Sequence, residues 1–366
     1  MRILLVITEL PPVRSGVALA GAQLAAGYRR AGHQVATLTR RDVGALGVGE
    51  IRLSAMGFAG ARLRAAIEAA DVVHLHGPAP TFADAFLLRV RRSGRRIPIV
   101  YTHHFDLDYR GLRWLCRIYH RWTRGLLQRL GAVVAVTSHQ YRERFGGDPP
   151  AEVVPLGCDH LRHGEGEGHA DEASLLGKQG DDPPLRVLFV GQMRPYKGVP
   201  VLMEALERTP GVTCRLVGTG PWLGRYRRRA SSSRADASFL GAIDDAALIE
   251  QLRWAQAMVL PSLSNLEAFG LVLLEGMRFG CVPVGSRLPG VSEVVADCGL
   301  LTPPGDAGAL AAALSGLRDD REQRRRLAGA ARRRALRFTW DRAVGGYLRR
   351  LEAVTVSAGA RAGGER

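Results

Sequence analysis

Short apolar runs alternate with amphipathic stretches along almost the whole chain. Residues 3–7 (Ile-Leu-Leu-Val-Ile), 35–39, 72–75, 97–102, 133–137 and 153–157 are apolar or β-branched and bounded by turn formers, so they read as strands. Residues 18–32 and 61–70 carry helical spacing, and the first of these ends at Gly32. Residues 162–184 then break the pattern with Gly, His and acidic residues and no period; they read as an interdomain linker. The alternation restarts with strands at 185–190, 214–217, 237–240 and 257–260 and helices at 198–208, 223–230 and 245–254. It closes on helical segments at 306–318, 320–338 and 340–354, and the Gly- and Ala-rich tail from Ser357 is expected to be disordered. This alternation predicts an α/β fold with parallel sheets covered by helices on both faces. The predicted domains are 1–161 and 185–339, with residues 340–356 as a separate last helix and 357–366 as the tail.

With 366 residues the chain is long enough for two domains that each bury a core. Lys and Arg total 51 against 35 Asp and Glu, a net charge of +16, which favours phosphorylated ligands, anionic membranes or nucleic acid as partners. Zinc-finger spacing and an aromatic-rich RNA-binding signature are both absent, so nucleic acid is set aside. Five scattered cysteines without a C-x-x-C predict a reducing cytoplasm, with neither disulfides nor structural zinc. The first apolar run stops at Thr-Glu-Leu-Pro-Pro, too early for a signal peptide or a membrane span. The expectation is a cytoplasmic protein, soluble or peripheral at the inner face of the membrane. The arginine- and alanine-rich composition suggests a GC-rich bacterial genome.

The chemistry concentrates in Pro261-Ser262-Leu-Ser-Asn-Leu-Glu267-Ala-Phe-Gly270-Leu-Val-Leu-Leu-Glu275-Gly276. A buried strand ends at Pro261 and a helix begins near Phe269, so the amides of Phe269, Gly270 and Leu271 would point at an anion above the sheet. Glu267 precedes this start and Glu275 lies one to two turns inside it. At different depths they would grip two parts of one elongated ligand; sugar, diphosphate and ribose in that order describe a nucleotide sugar. The plainer alternative is a capping Glu267 and a solvated Glu275. A second strand delivers Gly191-Gln-Met-Arg-Pro-Tyr-Lys197-Gly198, where Lys197 can act as a point charge on a leaving diphosphate, or simply cap a helix. Tyr101-Thr-His103-His104-Phe-Asp106 ends a first-domain strand, where a histidine could equally satisfy a buried carbonyl. Asp106-Leu-Asp108 is too short and frequent a motif to assign a metal. Arg110, Arg113, Arg117, Arg121 and Arg124 fall within about 80° on a helical wheel, opposite Leu115, Ile118, Tyr119, Trp122 and Leu126. Residues 110–129 therefore read either as a core-packed helix with a solvated arginine face or as a surface for an anionic membrane or acceptor.

The stretch 261–276 resembles the E-x7-E motif of retaining GT-B glycosyltransferases, in particular glycosyltransferase family 4, and Gly280-Cys-Val-Pro-Val284 resembles the family's Gly-x-Pro-Val-Val. The resemblance runs from residue 1 to about 354 and is weakest at 40–70, 105–130 and the linker. It implies two Rossmann-like domains facing each other across a crevice, with the last helix packing back on the first domain. It implies a donor site of Gly16, Gln192, Lys197, Gly218, Ile243, Glu267, Phe269, Gly270, Leu271 and Glu275. His104, Lys197 and Glu267 would be catalytic, His104 contacting the transferred sugar, and Ser15, His103 and Asp106 would lie on the acceptor side. Gln192 stands where the family has arginine and Ser15 where it has the first glycine of a pair. The implied activity is retaining, metal-independent hexosyl transfer without a cofactor, from a UDP-sugar first and a GDP-sugar second. The acceptor would be a hydroxyl of a glycan, a lipid-linked molecule or a small metabolite. The alternatives are a GT-B epimerase or phosphorylase, or a non-catalytic basic protein that binds membrane or nucleic acid.

Overall fold

The computed structural model describes residues 1–48, 51–54, 60–107, 111–145, 150–161, 176–180 and 184–363. The chain divides into two units, Met1–Leu156 with Trp340–Arg366, and Gly157–Thr339. The first contains β1 (Arg2–Val6), α1 (Gly16–Arg30), β2 (Gln34–Leu38), α2 (Arg40–Val43), β3 (Ala45–Val48), β4 (Ile51–Ser54), α3 (Gly60–Ala69) and β5 (Val72–Gly77). It continues with α4 (Ala83–Arg92), β6 (Ile99–His103), α5 (Arg113–Arg129), β7 (Val133–Val136), α6 (His139–Phe145) and β8 (Ala151–Val153). The second contains β9 (Leu185–Val190), α7 (Val199–Glu207), β10 (Val212–Val217), α8 (Leu223–Ser231), β11 (Ala237–Gly241), α9 (Asp245–Trp254) and β12 (Ala257–Leu260). Then follow α10 (Leu271–Arg278), β13 (Val282–Ser286), α11 (Pro289–Val295), β14 (Leu300–Thr302), α12 (Ala307–Asp319) and α13 (Arg321–Ala335). The last helix, α14 (Trp340–Gly363), belongs to the first unit.

Each unit is built on a six-stranded parallel sheet, ordered β2-β1-β5-β6-β7-β8 in the first and β11-β10-β9-β12-β13-β14 in the second. Strands β5, β6, β12 and β13 are buried along their whole length, as strands covered on both faces must be. In both sheets the order reverses once, between β1 and β5 and between β9 and β12. Chain leaving such a pair of strands turns to opposite sides, which opens room at their carboxyl ends. The loops after β9 and β12 are the ones that carry Lys197 and Glu267.

Several expectations are corrected. The tail is helical through Gly363, past Ser357, and residues 364–366 lie outside the described set. Residues 176–180 are not a free tether: the Gln179 side chain is fully buried and its amide donates to the carbonyls of Gln256 and Gly280 at 2.9 and 2.6 Å. The rest of the expected linker up to 183 is outside the described residues, as are Asp108 and Arg110. Helix α5 turns Cys116, Thr123, Leu126 and Leu127 to the core, and leaves Leu115, Ile118 and Trp122 exposed together with Trp114. Each such side chain left in water forgoes about 1.5–3 kcal/mol of burial.

Part of the arginine excess works inside the second unit. Arg324, Arg332 and Arg334 of α13 donate to the carbonyls of Leu317, Arg278 and Val294, at the carboxyl ends of α12, α10 and α11. These are positions where helices leave acceptors unsatisfied and favour a cation. The five cysteines are free and buried, and among the described residues no helix is long and apolar enough to cross a membrane.

Helix α14 packs on α1 where Gly27 meets Val344: a Cβ at residue 27 would lie 2.3 Å from Val344 Cγ2. Gly27→Val is expected to lower the unfolding free energy by about 1–3 kcal/mol, the usual range for overpacking, and adding Val344→Ala should recover part of it. Urea denaturation checks this; an unchanged midpoint in Gly27→Val would mean that the α1–α14 contact is not tight.

Candidate active site

In the second unit β9 delivers Gly191 and then a turn at Pro195–Lys197, closed by Gly198 with φ of 70°. A Cβ at residue 198 would lie 1.9 Å from the carbonyl oxygen of Pro261, so only glycine lets this turn press against the end of β12. The Leu263 amide donates to the Tyr196 carbonyl at 2.7 Å and fastens the two loops together. Through this contact Lys197 Nζ reaches Glu267 Oε2 at 2.6 Å, and Ser262 Oγ donates to the same oxygen at 2.9 Å. Lys197 and Glu267 are buried. Burial works against the Lys197 ammonium, but the Glu267 carboxylate outweighs it, helped by Tyr196 and more weakly by Glu275, and holds the lysine above its ordinary pKa.

Glu275 is the fifth residue of α10 and is also buried; its Oε1 lies 3.2 Å from His160 Nε2. The helix starts at Leu271 rather than Phe269, with Gly270 as its cap at φ 79°. The Phe269 ring is buried and meets Phe338 edge-on at 6.1 Å, so its side chain is core. The amides of Leu271 and Val272 open the helix and lie before its regular hydrogen-bond ladder. Gln192, the family's arginine position, accepts from Arg194 Nε at 3.0 Å, which brings a guanidinium beside the substituted residue. Gly218 has φ 132°, and a Cβ there would lie 1.9 Å from the Gly191 carbonyl oxygen: loop packing by itself already demands this glycine. Ile243 is half-buried just after β11.

In the first unit Ser15 caps α1, accepting from the Ala18 amide at 3.1 Å and donating to Glu9 at 2.5 Å. A Cβ on the next residue, Gly16, would meet nothing within 4 Å, so chain packing does not require a glycine there. A chain of histidines runs through β5 and the end of β6. His74 bonds Tyr28 Oη at 3.0 Å and Thr102 Oγ1 at 2.8 Å; His76 Nδ1 meets His104 Nε2 at 2.7 Å. His76 Nε2 is buried without a hydrogen-bond partner among the described residues. His104 is 4% exposed, so His76 sets its ring orientation and leaves Nδ1 as its uncommitted ring nitrogen. Burial lowers all three pKa values, that of His74 to about 3 and that of His104 to about 4, and neighbouring histidines add to the effect.

His103 does not join this chain. Its Nε2 donates to Asp106 at 3.0 Å, Asp106 also meets Arg144 at 3.3 Å, and His120 accepts from the Leu107 amide at 2.9 Å. His103, Asp106 and His120 offer ligand atoms within 4.8 Å of one another, the spacing of a metal-binding trio. The hydrogen bond from Leu107 to His120 ties the loop after β6 to α5. His120, His160 and the role of Ser262 carry no sequence signal: each meets its partner only through the fold.

The family model described as glycosyl transferases group 1 matches residues 177–334, and that described as glycosyltransferase family 4 matches residues 14–162. The chain is 31% identical over 296 residues to the phosphatidyl-myo-inositol mannosyltransferase of Mycolicibacterium smegmatis, covering 78% of this chain and 72% of that one. It is 30% identical over 269 residues to the D-rhamnosyltransferase WbpZ of Pseudomonas aeruginosa, covering 69% and 66%. The structure superimposes on sucrose-phosphate synthase from Thermosynechococcus elongatus with a TM-score of 0.71 at 22% identity, over 96% and 99% of the two chains.

The histidine chain makes folding depend on pH. The unfolded chain protonates these residues near pH 6.5, whereas the folded protein holds them neutral down to about pH 4 for His104. Stability is therefore full above about 6.5 and falls as the pH drops towards 4, by up to about 1.4 kcal/mol per pH unit for each histidine. The urea midpoint is expected to fall between pH 7 and pH 5, and less steeply in His104→Gln. Equal slopes in wild type and variant would contradict this.

Proposed function

The chain belongs to the group 1 glycosyltransferases of the family 4 type and has the GT-B fold, and we propose that it moves a hexosyl group from a nucleotide diphosphate sugar to a hydroxyl acceptor with retention at the anomeric carbon. The observation that carries this reading is the buried contact of Lys197 with Glu267 at the strand switch of the second unit. A lysine held charged beside a helix start matches a leaving diphosphate, and a carboxylate at the same point matches sugar hydroxyls. The two mannosyl- and rhamnosyltransferase relatives support hexose as the transferred group. UDP-linked donors are the first to test and GDP-linked donors the second. A glycan, a lipid-linked molecule or a small metabolite could supply the acceptor hydroxyl.

When the donor enters, its β-phosphate takes over the Lys197 ammonium, and Glu267, still held by Ser262, turns its free acceptor capacity to the sugar hydroxyls. The ribose hydroxyls donate to Glu275, which His160 holds in place. The amides of Leu271 and Val272, with Arg194 beside Gln192, supply further positive field. As the glycosidic bond breaks, its electron pair stays on the diphosphate. The acceptor oxygen bonds to the anomeric carbon from the same face, and the acceptor proton passes to a phosphate oxygen of the leaving group. His104 orients the transferred sugar. In this scheme protein groups carry the electrostatics and neither a metal ion nor a cofactor is required.

Glu267→Gln keeps a hydrogen-bonding partner for Lys197 and is the better test than alanine, which would strand a buried charge. It is expected to lower turnover by about 10²-fold or more while nucleoside diphosphate binding is kept. Glu275→Gln should instead weaken donor binding by about 10- to 100-fold, the range for a lost hydrogen bond to a charged group. Transfer or donor hydrolysis, followed as nucleotide release from UDP- and GDP-hexoses, reads both; full turnover in Glu267→Gln would remove the mechanism.

A further inference from the structure

Helix α5 presents three faces rather than two. Cys116, Thr123, Leu126 and Leu127 are buried and span about 100° of the helical wheel. Arg113, Arg117 and Arg121 are exposed and occupy a second sector of about 80°. The third sector, again about 100° wide, holds Trp114, Leu115, Ile118 and Trp122, exposed to 55, 43, 57 and 42%. Leu112, at the helix cap, adds a fifth apolar side chain at 45%. Two tryptophans, a leucine and an isoleucine face outward while Thr123 shares the buried face with Cys116, Leu126 and Leu127, more outward apolar surface than core packing alone would select. Between Asp108 and Glu143 the chain contains no acidic residue.

We infer that this face of α5 docks on the surface of an anionic lipid bilayer, with Trp114, Leu115, Ile118 and Trp122 entering the interface and Arg113, Arg117 and Arg121 meeting the headgroups. Charge complementarity selects this occupant. A protein partner would need an acidic rim matched to one arginine row, whereas an anionic bilayer offers negative charge at the level where arginines lie beside a half-immersed helix. Tryptophan suits that depth, because its apolar ring and N–H are both satisfied at the boundary. Such docking would make the enzyme peripheral and favour an acceptor that is itself held in the bilayer. It rests on α5 alone, so it stands or falls separately from the donor site.

The test is flotation of the full chain with vesicles of equimolar phosphatidylglycerol and phosphatidylcholine, against pure phosphatidylcholine, in about 0.1 M salt, where the Debye length is about 10 Å. The protein is expected to float with the anionic vesicles, at least 10-fold more than with neutral ones, and to be released by high salt. Trp114→Ala with Trp122→Ala should lower partitioning at least 10-fold, and Arg113→Gln, Arg117→Gln and Arg121→Gln together should abolish the anionic preference. Ile118→Asp repeats the loss with one exposed substitution, should the double tryptophan variant melt early. Nucleoside diphosphate binding should be unchanged in all of them. Failure of the wild type to float with anionic vesicles overturns the inference, as do equal binding to neutral vesicles or variants that float like wild type. A concentration-dependent dimer that disappears with the two tryptophans would assign the face to a second copy instead.

Discussion

The second unit is arranged around one buried ion pair. Lys197 and Glu267 come from loops whose strands, β9 and β12, are neighbours in the sheet but 67 residues apart in sequence, counted from Val190 to Ala257. Taking both charges out of water is costly, and a pair of this kind is maintained only where geometry is close and other donors complete it. Here the 2.6 Å contact, the Ser262 hydroxyl and the glycine at 198 meet those conditions. The result is a buried cation held in place by a carboxylate from the neighbouring loop. Preorganisation of this kind is where electrostatic catalysis draws its advantage over water.

The first unit shows a related economy with neutral groups. Three histidines lie in or beside strands that are otherwise apolar, and each is kept uncharged by burial. The hydrogen bond between His76, the penultimate residue of β5, and His104, the first residue after β6, fixes ring orientation at the end of β6.

What the sequence made legible was local. The strands, the lysine after β9 and the two glutamates around a helix start follow from short-range pattern, and the resemblance to a known family named their roles. Contacts across the fold were not legible: nothing near His160 announces Glu275, and nothing near Gln179 announces the carbonyls of Gln256 and Gly280. Helix α5 marks a second limit. Its spacing separates arginines from apolar residues correctly, but it has two apolar arcs, and periodicity does not say which one meets the core. Gly218 marks a third, since a glycine matched to a ligand-binding motif already has a packing reason in the Gly191 carbonyl. The arginine surplus likewise divides into helix-end partners on α13 and an exposed row on α5, a split invisible to net charge.

The most direct measurement of the central claim, that the Lys197–Glu267–Glu275 constellation is a donor site, is calorimetric titration with UDP, GDP, ADP and NAD in EDTA, on wild type and Glu275→Ala. Binding of one nucleoside diphosphate without metal, weakened in the variant, is the expected result. Binding of none, or binding indifferent to Glu275→Ala, would contradict it.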